Sequence, residues 1–528
     1  MPETLWRAAD FAVLTQRFGN RVAVATLDGT ITYGALLRKA AALGLALIEA
    51  GVRPGDPVAS FVRNGIPAVW TSIGVTLSGA AELSLNAGLN EQDRRYCLDL
   101  ARAGHVVASA EHAPSFQAQG TRVHSVEEVG EADLAPSLFP RVGPDSWARI
   151  GFTSGTTGAP KGIVTNHRGR WTGNLLQRAA MPHKPGPGSR LLLMTPFSHG
   201  ASLLTYAYLD LGGSVTLLDG VDPAVVLGIL ERGEVDEMFA PPTVLTKIVA
   251  AAQGRVLPGL KTIYCGTAVL SPTLYARARA IFGPVIRVTY GKTEVINPIT
   301  VLEPDETDRW YAEGGPDADA CVGWPATGVE IVIGGTGEMI TTQSVSAAPA
   351  GTIGEVLIRA HQMLAGTIRA GGYEPMAPDA FHETGDLGYV DVQGRLHLVG
   401  RAADVIKTGG YKVAPEEVER VLSAALGQGE VAAVGIPSEY WGEVIVAVAE
   451  RPRSDWEDIL RAVARDMTGY KRPRAFLAFE ELPRNAMLKV SRKALRDQVL
   501  ARYRLIDGPH PSLELAEAGD PAPPPTSS

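Results

Sequence analysis

Apolar positions along the chain alternate between two periods. Short β-branched or aliphatic runs, such as Val22–Thr26 and Val58–Val62, are followed by longer Ala- and Leu-rich stretches with helical spacing. Thr32 is placed to cap a helix over Tyr33–Ala50 that Gly51 stops, and Pro54-Gly55-Asp56 turns the chain into the next strand. The pattern predicts strands near 104–109, 149–153, 190–194, 214–218, 236–240, 261–265 and 285–290. It predicts helices over 167–179, 201–211, 223–232, 243–253 and 272–282. Alternation of this kind implies an α/β architecture with largely parallel sheets.

After about residue 320 glycine becomes frequent and the strands shorten, at 329–333, 354–359, 387–392 and 395–399, which reads as an antiparallel β region. Residues 401–413 read as a charged, Gly-containing connector. Beyond it a helix (415–425), strands (430–436 and 443–449), a helix (455–467), a strand (474–480) and a helix (491–503) form a small α+β unit. The expected organisation is a large N-terminal domain over 1–400, of mostly parallel sheets with helices plus a β subdomain. A small C-terminal domain follows over 401–505, and a Pro-, Ala- and Ser-rich disordered tail over 506–528. No internal repeat is evident.

Composition narrows the function classes. The 528 residues are 45% hydrophobic and 20% charged, with a net charge of -8, as expected of a globular protein of two or more domains. No basic run points to nucleic acid. Cys97, Cys265 and Cys321 are scattered without ligand spacing to the ten histidines, which argues against a zinc or disulfide framework and fits a reducing, cytoplasmic setting. The first twenty residues lack the apolar segment of a signal peptide, and no run of about 18 apolar residues is present to span a bilayer.

The densest chemistry lies at 152–162, FTSGTTGAPKG, which follows the strand-like run ARIGF. Thr153, Ser154, Thr156 and Thr157 supply hydroxyls, Gly155 and its neighbouring glycines let backbone N–H groups turn inward, and Lys161 supplies charge. The reading is a phosphate cradle. It is not a Walker A loop, because no Gly-Lys-Ser/Thr closes it. Gly291-Lys292-Thr293 has that ending, but Ile286 stands where the leading glycine belongs. No G-x-G-x-x-G opens a helix after a strand, so a Rossmann site is not expected.

Other motifs follow in order: PFSHG at 196–200, TYGKTE at 289–294, TGDL at 384–387, GRAADVIKTGGYKVAPEEVE at 400–419 and RNAMLKVSR at 484–492. Over residues 20 to about 503 the set resembles the adenylate-forming superfamily, which comprises acyl- and aryl-CoA synthetases, peptide-synthetase adenylation domains and beetle luciferases. The texture is most similar to actinobacterial fatty-acid-type CoA ligases. The resemblance implies an ATP- and Mg²⁺-dependent enzyme that converts a small-molecule acid to acyl-AMP and pyrophosphate. The acyl group then passes to a thiol, of CoA or of a carrier protein supplied in trans. Joining two anions calls for dense positive charge.

The resemblance also implies roles. Thr153 to Thr157 and Lys161 would hold the β- and γ-phosphates, and Glu294, with Thr153, the metal. Tyr290 would stack on adenine, beside Gly291, Thr293 and the 266–268 run Gly266-Thr267-Ala268. Asp386 would accept the ribose hydroxyls and Arg401 would assist; without the resemblance both read as surface turn residues. Lys489 would bridge the attacking carboxylate and the α-phosphate, although a lone lysine near a C-terminus is ordinarily solvent-exposed. Asp404 would be the hinge about which a mobile small domain swings, bringing Lys407, Gly409, Gly410 and Tyr411 to the thiol. His199 would guard the carboxylate or thiol channel; read alone it is a cap or packing residue. The acyl pocket is expected from Ala201 to Tyr206, 239–245 and 265–269.

Three positions depart from the family pattern. Leu488 precedes Lys489 where glycine is usual. Lys292 stands where a neutral residue is common, and either favours a second anionic group on the acid or turns to solvent, the reading preferred here. Thr267 replaces a glycine and adds bulk near the pocket floor. These departures point to a specialised acid. They keep open an atypical member that activates nitrite for diazotisation, and a degenerate nucleotide binder, against which the intact Lys489, Glu294, Asp386 and Arg401 argue.

Overall fold

The computed structural model describes residues 7–516 apart from 119, 154–159, 316–317, 335–347, 378, 428–429 and 486–488. Its frame is two sheets with helices packed between and around them. One sheet runs, edge to edge, Ile286–Val288, Thr262–Cys265, Glu237–Phe239, Arg190–Leu193, Ser214–Leu217, Val22–Ala25 and Thr30–Thr32. All its pairs are parallel except the last. The other joins Trp147–Thr153, Ala81–Ser84, Pro57–Phe61, His105–Ala108 and Arg122–Ser125 in parallel. At one side it adds Lys161–Asn166 and two further strands, antiparallel.

The helices between the sheets are apolar on most faces because both sides are covered. Tyr33–Glu49, capped by Thr32 through the Ala35 amide, crosses Ile66–Ser78, where little but the ends reaches water. Gly44 and Gly74 let the two backbones meet. A Cβ on Gly74 would lie 2.9 Å from both the Ala40 carbonyl oxygen and the Leu43 side chain.

The glycine-rich region after 320 forms an antiparallel sheet, in the order Thr300–Val301, Ala320–Pro325, Leu396–Arg401, His382–Val390, Gly354–Ala360, Val329–Gly334. The small C-terminal unit carries a sheet centred on Val431–Ser438 and Gly442–Glu450, faced by Pro415–Leu426 on one side and Arg492–Arg502 on the other.

Two expectations change. The "connector" 401–413 is structured: a single turn at Ala402–Asp404 leads into a hairpin, Ile406–Thr408 with Tyr411–Val413, that joins the C-terminal sheet. Gly409 and Gly410, both at positive φ, make its turn. The chain from 506 does not begin as a disordered tail. Tyr503–Ile506 pairs with Ser512–Leu515, Asp507 accepts from Ser438 Oγ at 2.7 Å and from the Glu439 amide, and the Trp441 indole donates to Gly508 O. Composition suggested disorder there because these contacts come from a segment about seventy residues earlier. Residues 517–528 lie outside the described residues.

Filling the contact between the two glycine-faced helices gives a stability test. Gly74→Leu is expected to destabilise by about 1–3 kcal/mol or more, read by urea unfolding, because backbone and not a flexible side chain must move.

Candidate active site

The strands set out the site. In the first sheet, PFSHG follows Arg190–Leu193, the 239–245 segment follows Glu237–Phe239, CGTAV ends Thr262–Cys265, and TYGKTE follows Ile286–Val288. All four segments therefore emerge at the carboxyl ends of parallel strands, where open α/β sheets bind ligands. The second sheet contributes Thr153, the last residue of its strand, cross-strand from Lys161. Ser154, Gly155, Thr156 and Thr157 lie outside the described residues, as does Leu488.

The centre is a carboxylate held by three donors. Asp386 sits within the strand His382–Val390, cross-strand from Arg401. Arg401 Nε lies 2.6 Å from its Oδ1, Lys292 Nζ donates to its Oδ2 at 3.1 Å, and the Tyr290 hydroxyl also donates to Oδ2. Asp386 is thus a buried strand residue and not a surface turn residue; its register with Arg401 could not be seen in a spacing of fifteen residues. Lys292 corrects a second reading. It is 6% exposed and ion-paired with Asp386, and donates to Thr384 O at 2.7 Å, so it does not turn to solvent. Tyr290 is buried in the core, and burial together with Asp386 raises its hydroxyl well above the ordinary range.

Lys161 Nζ lies 3.3 Å from Glu294 Oε1. Burial would raise the Glu294 carboxyl, yet Lys292 and Lys161 among its neighbours outweigh that and hold it below its usual value. Lys489 arrives from the small domain. Its backbone is fixed by bonds from Lys489 N to Asn485 Oδ1 and from Asn485 N to Lys489 O. Burial first, then Arg401 and Lys292, brings its amine down to about 8, with Asp386 opposing. Lys292 and Arg401 therefore contact one carboxylate and Lys489 adds a third cation within electrostatic reach of it, an arrangement suited to a polyanionic ligand.

Unpartnered polar atoms lie on the segments that carry the motifs and on the Asp386 strand. Thr153 Oγ1, Thr195 Oγ1, Ser198 Oγ, His199 Nε2 and His382 Nε2 are buried with no hydrogen-bond partner among the described residues. Buried polar groups are normally satisfied, so these fit a site built for a ligand. Both histidines are pushed down to about 4, by burial above all and in His199 also by Arg149, and are neutral at pH 7. His199 is not a helix cap; it sits in a distorted turn, Phe197–Ala201, ahead of the helix Ser202–Leu209.

His382 was missed in the sequence. Alternation along its strand puts His382, Thr384 and Asp386 on one face, which was the available signal. Gly266 admits the Thr289 carbonyl oxygen where a Cβ would lie 2.7 Å from it. Thr267 and Ala268 are exposed, and Thr267 has φ 70°. For a residue other than glycine this left-handed backbone costs about 1–2 kcal/mol.

The structure does not bring the remaining predicted residues to this cluster. Lys407, Gly409, Gly410 and Tyr411 lie on the exposed hairpin, where Gly409 N donates to Trp441 O and Tyr411 stacks on Tyr470 at 4.2 Å, both within the small domain. Asp404 is tied to Arg492 at 2.9 Å, and the same guanidinium holds Glu416 and Glu419 at 2.8 and 2.7 Å.

A model of the AMP-binding enzyme family matches residues 11–367, and one of the AMP-binding enzyme C-terminal domain matches 417–489. The chain belongs to the AMP-binding enzymes. A 4-chlorobenzoate–CoA ligase of Arthrobacter sp is 28% identical over 93% of this chain and 94% of that protein. A feruloyl-CoA synthase of Amycolatopsis sp is 29% identical over 90% and 94%. ATP-bound MatB from Rhodopseudomonas palustris is 24% identical and superposes with a TM-score of 0.80 over 93% of this chain and 98% of that one, a likeness of fold. This AMP-binding enzyme is an AMP-forming acid–thiol ligase of the adenylate-forming superfamily, with a large N-terminal and a small C-terminal domain. Among the described residues no helix is long and apolar enough to cross a membrane.

The Lys489 environment gives a pH test. A lysine whose folded value falls to about 8 carries its charge below that pH and loses it above. Adenylation kcat/KM is expected to fall as pH rises through about 8. In Lys489→Arg, which stays charged, that alkaline limb should move upward. A wild-type profile flat across pH 8 would contradict the assignment.

Proposed function

We propose that the protein activates a carboxylic acid as acyl-AMP, releasing pyrophosphate, and transfers the acyl group to the thiol of CoA. The observation that carries the reading is Lys489. A small-domain lysine, half-buried and within electrostatic reach of Asp386 and Arg401, has no structural need to be there and desolvates an ammonium group at a cost. A bound α-phosphate and attacking carboxylate would supply the compensating charge.

On this reading Lys161 and the 153–157 loop hold the β- and γ-phosphates, and Asp386 exchanges donors with the ribose hydroxyls while Arg401 keeps it in place. Neutral His199 lies where the acid enters and can donate or accept without adding charge. Glu294 and Thr153 would hold Mg²⁺. One carboxylate and one hydroxyl suit a cation that takes most of its ligands from phosphate and water, and the unpartnered Thr153 Oγ1 fits this. Bound there, Mg²⁺ would neutralise phosphate charge.

The second step uses the other face of the small domain. We assign domain boundaries near 400 and 505, with rotation about Asp404 withdrawing Lys489 and presenting Lys407, Gly409, Gly410 and Tyr411 to the pantetheine arm. Their exposure supports this, as does the Arg492 clamp on Asp404, which gives the hinge a defined resting state.

Separating the half-reactions tests the scheme. Lys489→Ala should lower acid-dependent pyrophosphate release by about 10²-fold or more and still form thioester from supplied acyl-AMP and CoA. Survival of both half-reactions in that variant would remove the role given to Lys489. Asp404→Pro should do the reverse, slowing thioester formation more than adenylation.

A further inference from the structure

Behind the loop that carries Glu294 lies a small cavity of about 50 Å³. Its walls begin just beyond site residues. Ile296 and Asn297 follow Glu294 by two and three positions, and Leu203 and Tyr206 follow His199 by four and seven. Asn297, one of its lining residues, packs against the nucleotide loop: a Cβ on Gly291 would come within 2.7 Å of Asn297 Oδ1. Two of the segments expected to form the acyl pocket, 239–245 and 265–269, do not line this space.

The opposite wall is the helix His167–Ala179, which turns Arg170, Asn174 and Gln177 into the cavity at the i, i+4, i+7 spacing of one helix face. A polar stripe facing inward reverses the usual arrangement and calls for a partner. Among the described residues the Arg170 guanidinium makes no hydrogen bond. Its nearest carboxylate is Glu82 at 3.8 Å, and it lies over the Tyr206 ring at 5.3 Å. Glu82 is already engaged, accepting from Ser60 at 3.1 Å and Ser72 at 2.7 Å.

The charges do not balance locally. Arg149 and Arg170 both neighbour Glu82, so two cations face one anion. Arg7, also at the wall, is cancelled by Asp210 at 3.2 Å, and His167 is neutral because burial above all brings it down to about 4. His167 Nε2 and Asn297 Oδ1 are buried without partners among the described residues. A half-buried guanidinium that makes no hydrogen bond, an excess positive charge and an adjoining neutral imidazole suit a planar oxyanion. Leu203, Trp171 and Ile296 make the rest of the lining apolar.

We propose that this cavity receives the far end of the acid and that Arg170 selects acids bearing a second carboxylate there. The inference rests on the acid–CoA ligase reading above. It places the second anion at Arg170, whereas Lys292, the other cation considered for it, is occupied by Asp386.

The test compares matched acids by pyrophosphate release: benzoate with isophthalate, and hexanoate with adipate. The wild type should favour one of the dicarboxylates over its monocarboxylate partner at least about tenfold in kcat/KM, the scale of one charge-assisted contact. Arg170→Gln should abolish that preference, mainly through KM for the dicarboxylate, with KM for ATP unchanged. Arg170→Lys, which keeps the charge, should retain part of it, and it tests the proposal if the glutamine variant does not fold. Equal or reversed preference in the wild type, or an unchanged preference in Arg170→Gln, would overturn the assignment while leaving the ligase reading intact. No pyrophosphate release with any of the four acids would overturn the ligase reading, and this one with it.

Discussion

The site is organised by the need to hold one buried carboxylate, Asp386. A lone ionised carboxylate in a protein interior costs far more than a fold can supply, so it must be paired and hydrogen-bonded. Strand register gives it Arg401, and the loop after the neighbouring sheet gives it Tyr290 and Lys292. That one requirement pins two neighbouring strands of the antiparallel sheet to the nucleotide loop. The cations gathered there exceed the anions, and the excess makes the place attractive to phosphate.

The same logic runs outward. Lys489 adds a further cation from the small domain, with its amine brought down to about 8 by burial above all and by Arg401 and Lys292. At the far side, Arg149 and Arg170 flank the single carboxylate of Glu82, again with positive charge to spare. The protein thus carries two electropositive interior regions separated by the loop 290–297. An acid extending from one to the other would complete both.

Much of this was legible in the chain. The strand–helix alternation, the cap at Thr32 and the change of texture after 320 rest on local periodicity, and the structure follows them closely. The order of the motifs placed the chain in its superfamily. Long-range pairing was not legible. Asp386 and Arg401 read as turn residues because cross-strand register depends on a bulge and a turn between them. Lys292 read as solvent-facing because its partner lies 94 residues away. The hairpin after 503 was hidden because Trp441 and Ser438, which anchor it, belong to another strand's end.

The sequence by itself determined the element types, the two-domain plan and the class of chemistry, since each rests on residues near one another in the chain. The tertiary structure alone decided which charges meet. Whether Lys292 faces water or Asp386, whether Lys489 is exposed or desolvated, and whether the stripe Arg170, Asn174, Gln177 is a solvated face or a cavity wall are questions about burial. Burial sets the energy of a charge, and it is fixed only when distant segments pack. The phosphate cradle was the conspicuous local feature of the chain. The features that give this enzyme its individual character, the Asp386 cluster and the Arg170 wall, came into view only once those segments were brought together.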